Sequence, residues 1–125
     1  MSRGPLPSTL CLLSSLPYRS VGDKVRFLGC VGAYSTAMGS VSLAHDYPAN
    51  TNVTAVADVN LVLETLTHET LQQGEWVNVV GYVTSLQRAT GKGGVKVHVQ
   101  ALMLWSAGPA MDVAKYECTV DGGLH

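Results

Sequence analysis

The chain is 125 residues long, 46% hydrophobic and only 14% charged, with a formal net charge of -1. That is one domain's worth of sequence with enough apolar residues for a core, the opposite of a disordered chain's balance. A chain this close to neutral does not grip nucleic acid by bulk positive charge, so any such role is local or shared with a partner.

The share of aliphatic residues points further, to apolar surface covered by another subunit. Cys11, Cys30 and Cys118 are odd in number and show no C-x-x-C spacing, so they read as free thiols rather than a disulfide frame or zinc site. Residues 1–20 open with MSRGPLPSTLCLLSSLP. The apolar run Leu10–Leu13 is too short for a secretory segment and is flanked by prolines, so it reads as a structured lead-in. No stretch approaches the ~20 apolar residues of a membrane helix, and no membrane partner is expected.

From Lys24 the pattern has period two. KVRFLGCVGAY (24–34) puts Val25, Phe27, Gly29, Val31 and Ala33 on one face, with Lys24 and Arg26 on the other. SVSLAH (40–45) turns Val41 and Leu43 inward. VTAVADVNLVL (53–63) alternates from Val53 through Ala55, Ala57, Val59 and Leu61 to Leu63. EWVNVVGYVTSL (75–86) sets Val77, Val79, Gly81 and Val83 against Trp76, Asn78, Val80 and Tyr82. VKVHVQALMLW (95–105) sets Val95, Val97, Val99, Ala101 and Met103 inward and Lys96, His98 and Gln100 outward.

Turns at Met38-Gly39, 47–52 and 91–94 separate these strands. ETLTHETLQQG (64–74), with Leu66, Leu71 and Gly74, predicts a short helix after the third strand. After Gly108-Pro109, residues 109–120 predict a C-terminal helix carrying Val113, Tyr116 and Val120 on one stripe, with Met111 and Cys118 beside it. Glycines inside the first and fourth strands allow the sharp bends of a small barrel. The expected architecture is all-β with flanking helices. It is a single five-stranded OB-fold barrel over 21–106, with a short helix between strands three and four and a helix at the end.

GKGG (91–94) has the composition of a phosphate loop but not its context. Lys96 is followed by Val97 in a continuing strand, and no helix N-terminus follows, so the glycines make a hairpin turn. Arg88, Lys92 and Lys96 around that turn either touch backbone phosphates or simply solvate the loop. Tyr82 and Trp76 are outward aromatics that could stack bases; Trp76, at a strand start, is read as packing instead. His45, His68, His98 and His125 show no metal-ligand spacing, and there is no nucleophile motif or acid cluster, so no cofactor, metal or catalysis is expected.

The segments KVRFLGCVGAY, SVSLAH, VNLVLETL, GEWVNVVGYV and AKYE resemble the fungal-type Ten subunit, the smallest OB-fold subunit of the telomere-capping CST complex. The resemblance runs from Val21 to Tyr116, and GEWVNVVGYV is its most specific part. It implies a non-catalytic nuclear protein at telomeres, paired with an Stn-type OB-fold subunit as the small and middle subunits of replication protein A pair. It further implies the large telomere-binding subunit of the same complex as a partner, telomeric single-stranded DNA held through the complex, and indirect service to polymerase alpha–primase. Arg26 matches a basic position of the family and Tyr116 an aromatic of its last helix; Val120 stands near where some relatives carry a basic residue. Partner contacts are therefore expected at Tyr116, Val113, Met111, Val120 and Arg26, and nucleic-acid contacts at Arg26, Arg88, Lys92, Lys96 and Tyr82. The alternatives are a stand-alone single-strand binder or the small subunit of a replication protein A-like complex. The first of these predicts tight, salt-dependent binding by the isolated chain.

Overall fold

A computed structural model of the chain describes residues 8–67, 69–88 and 94–122, with the side chains of 121 and 122 left aside. Six strands follow in chain order: β1 (Thr9–Leu10), β2 (Lys24–Ser35), β3 (Ser40–Ala44), β4 (Val53–Asp58), β5 (Trp76–Arg88) and β6 (Val95–Ser106). The sheet order is β1-β2-β3-β4-β6-β5, and β5 returns to pair with β2, which closes the barrel. The closing ladder is antiparallel, from Lys24 opposite Tyr82 to Cys30 opposite Trp76. β4 and β6 run parallel, and the five long strands form the expected OB-fold barrel. β5 and β6 pair antiparallel up to Arg88 and Val95, as hairpin strands do, and β6 continues as a strand where a phosphate loop would need a helix.

Inward residues of all five strands meet in one core: Val25, Phe27, Val31, Val41, Leu43, Ala55, Ala57, Val77, Val79, Val83, Val97, Val99 and Ala101. Each fully buried Val or Phe contributes about 1.5–3 kcal/mol, so alternation is the main force that fixes the register. Gly81 is glycine for want of space, since a Cβ there would lie 2.2 Å from the Gln100 carbonyl oxygen. In the described part of the lead-in, from residue 8, β1 adds parallel to β2, and a 3-10 helix at Leu13–Tyr18 buries Leu13 and Leu16 in the core.

Three expectations are corrected. β4 ends at Asp58, because the Asp58 carboxylate accepts hydrogen bonds from the Asn60 backbone N–H at 2.9 Å and from Asn60 Nδ2 at 2.8 Å. This Asx turn diverts the chain from the ladder into a 3-10 helix at Asn60–Thr65. Val59 and Val62 are buried, while Leu61 is 68% exposed and Leu63 also faces outward. The short helix thus ends at Thr65, and the described residues of 66–74 follow mainly as turns, with Leu66 and Leu71 packed against the core.

The second correction is in β6, where the register shifts so that Val80 faces Met103 and Gly81 faces Ala101. The extra residue, Leu102, is a bulge that reverses the phase. Met103 is turned out and 56% exposed, and Leu104 takes the core place. The third is a similar shift in β2 between Val31 and Ala33, which leaves Ala33 exposed.

The C-terminal helix, α1, spans Val113–Gly122. Asp112 caps it, its Oδ1 accepting from the Lys115 N–H at 3.0 Å.

Candidate partner and nucleic-acid surfaces

α1 lies on the outer side of the barrel wall formed where β1 and β2 meet. Leu28 belongs to the outward phase of β2, yet it is fully buried. Tyr116 lies beside it: its hydroxyl donates to the Cys11 carbonyl at 3.4 Å, and the Leu28 backbone hydrogen-bonds to its oxygen. Burial, followed by the Cys11 side chain, pushes the Tyr116 phenol up to about 12, against the opposing pull of the Leu28 backbone and Arg26. Val120 is only 3% exposed. Val120 is thus largely covered by its own chain, and it stands with Met111 and Tyr116 in the lining of one concavity.

His45 extends the inward alternation of Val41 and Leu43 and is buried. Its Nε2 lies 2.6 Å from the Glu117 carboxylate of α1. Its ring meets Trp76 edge-on at 5.2 Å and lies 6.2 Å from the Tyr116 ring. Trp76 therefore packs, as read from its position. His45 Nδ1 is buried without a partner among the described residues. Sequence reasoning missed the His45–Glu117 pair because its members are 72 residues apart, although His45's burial was legible in the strand's parity.

Arg26 is exposed on the outward face of β2, opposite Val80, with its guanidinium 5.3 Å from the centroid of the Trp105 ring. Met111 and Val113 are half-buried. Together with Leu10, Ala107, Lys115 and Tyr116, Met111 lines an open, mainly apolar concavity beside the helix. The structure thus gathers Met111, Val113, Tyr116 and Arg26 on one side of the molecule.

The remaining candidates are not gathered there. Arg88 lies eight residues beyond Val80 on β5, roughly 26 Å along the strand at ~3.3 Å per residue. It pairs with Val95, while Lys96 pairs with Gln87 on the opposite phase, so Arg88 and Lys96 face different ways. Tyr82 is half-buried on the outward phase between Lys24 and Gln100. Lys92, His68 and His125 lie outside the described residues. Among the described residues, no group of three or more His, Cys, Asp or Glu side chains could hold a metal ion.

A closed five-stranded barrel with a capped helix resting on its wall defines a small OB-fold protein. The chain belongs to the Ten1 family of telomere-capping CST complex subunits, whose family model matches residues 1–121. Among solved structures it is similar to a chain of the S. pombe Stn1–Ten1 complex, at 26% identity over 97% of this chain and 95% of that one, with a TM-score of 0.68. It is similar in the same degree to S. pombe Ten1 alone, at 26% identity over 94% and 98% of the two chains and a TM-score of 0.67. Replication protein A of U. maydis, solved bound to single-stranded DNA, shares the fold at 17% identity over 94% and 90% of the chains and a TM-score of 0.62. No curated protein matches the chain.

Proposed function

We propose that this subunit pairs with an Stn-type OB-fold subunit through α1 and the adjoining barrel wall, and that the pair takes part in holding single-stranded telomeric DNA. The carrying observation is the open, mainly apolar concavity beside α1, lined by Met111, Tyr116 and Val120. A helix of ten residues is marginal alone, and this one keeps Met111 and Val113 only half-covered. The S. pombe relative solved as an Stn1–Ten1 complex supports the choice of partner. Arg26, stacked on Trp105 beside Tyr116, supplies charge at the rim of that surface. The protein acts by binding. A nuclear, telomeric location, assembly with the large CST subunit and indirect service to polymerase alpha–primase belong to the same reading.

Light scattering on a sizing column tests it, with the chain alone and co-expressed with an Stn-type OB domain. A stable one-to-one peak is expected, and Met111→Asp should abolish it while leaving the monomer's melting unchanged. A monomeric wild-type chain that ignores the partner overturns the pairing and favours the stand-alone binder.

A further inference from the structure

A second concavity opens between the first 3-10 helix, the β3–β4 loop and the ends of β5 and β6. Ser14, Ser15, Pro17, Tyr18, Pro48 and Arg88 are among its lining residues. Its volume is about 440 Å³, within the ~300–1,000 Å³ typical of small-ligand clefts and enough for one nucleotide.

Two features of its wall are unusual. Tyr18, the last residue of the 3-10 helix, is 86% exposed. Arg88 stands in the inward phase of the sheet, opposite Val95 and past the point where the core ends. Among the described residues Arg88 engages no carboxylate, the His45–Glu117 pair being the ion pair found there. The acid of the neighbouring loop, Asp46, is already occupied by the Asn50 N–H at 3.3 Å and the Thr51 N–H at 3.1 Å. Ser14 Oγ donates its proton to the Tyr47 carbonyl at 2.6 Å, so toward the cleft it can offer lone pairs only.

We propose that this cleft is a nucleotide subsite for a single strand, with one base on Tyr18 and the neighbouring phosphate on Arg88. A guanidinium that engages no carboxylate among the described residues, beside an exposed ring and two proline faces, matches the requirements of a strand: a cation for its backbone and a flat surface for a base. The Ser14 oxygen accepts from an exocyclic amino group or a sugar hydroxyl. The subsite rests on the reading that the pair holds single-stranded DNA. It places a DNA contact on this chain itself.

The test is a fluorescence-anisotropy titration of a labelled mixed-sequence DNA oligonucleotide with the reconstituted pair. Tyr18→Ala and Arg88→Gln should each weaken binding about fivefold or more, with pair formation unchanged on the sizing column. Arg88→Gln should also lower the slope of log K against log salt by about 0.7, as loss of one phosphate contact to a single strand does. Tyr18→Ala should leave that slope alone, and Tyr18→Phe should restore affinity. Unchanged affinity in both variants overturns the subsite and leaves the DNA reading standing. A wild-type pair that binds no oligonucleotide overturns that reading and the subsite with it.

Discussion

The imidazole Nε2 of His45 and the carboxylate of Glu117 approach to 2.6 Å across 72 residues of sequence, tying α1 to the end of β3. The other ring nitrogen of His45 has no partner among the described residues, so this contact is the polar anchor of a buried ring. Glu117→Ala should cost about 1–3 kcal/mol, because it leaves a buried polar group unmade as well as a bond broken. Glu117→Gln, which keeps an acceptor in place, should cost less. Urea unfolding midpoints decide it; two variants as stable as the wild type would mean that the pair adds nothing.

Tyr116 should respond to alkaline pH. Its phenol is raised from 10.0 to about 12, first by burial. Folding therefore favours the protonated form, and that stabilisation is complete below about pH 10 and lost as pH climbs through 12. Absorbance at the phenolate band should show one of the five tyrosines ionising near 12. Tyr116→Phe should remove that late step, and its persistence would mean that another tyrosine carries it.

Much of this architecture was legible because period two is enforced by burial. Val77, Val79, Gly81 and Val83 face inward as their alternation requires, and so do Val41 and Leu43. The errors arose where a local feature resets the period. Asp58 turns the chain with its own side chain, and Leu102 adds one residue against Gly81, whose missing side chain lets the Gln100 carbonyl come close. Neither event changes the composition of the apolar run, so Leu61 and Met103 looked like core. On α1, the stripe of Val113, Tyr116 and Val120 was readable, but not which member faces the barrel. That depends on Cys11 and Leu28, distant in sequence.

Two glycines with opposite surroundings give a matched pair of substitutions. Gly81→Ala forces a Cβ to 2.2 Å from a backbone oxygen that cannot step aside, and a loss of about 3 kcal/mol or more is expected. Gly32→Ala meets only the Ser42 carbonyl at 3.6 Å. With ordinary room and fewer unfolded conformations, it should be neutral or stabilising by up to about 1 kcal/mol. Thermal melts of the two proteins should diverge; similar melting temperatures would contradict the close approach at Gly81.

The three thiols should react in a fixed order. Cys118 is exposed, Cys30 is partly covered and Cys11 is buried. Burial raises the Cys11 and Cys30 thiols above their ordinary range, depleting the thiolate that attacks. With a disulfide reagent at pH 8, the isolated chain should label at Cys118 first, at Cys30 more slowly and at Cys11 only on unfolding. Early labelling of Cys11 would mean that the lead-in separates from the barrel without global unfolding.

The hydrogen bond from Tyr116 to Cys11 gives the lead-in a bearing on recognition. The segment that pairs with β2 as β1 also supplies the floor on which α1 rests. A substitution at Cys11 itself therefore tilts or lifts the helix without altering a residue that lines the concavity. Drift at that one position thus retunes the proposed pairing from beneath, leaving the lining residues themselves unchanged.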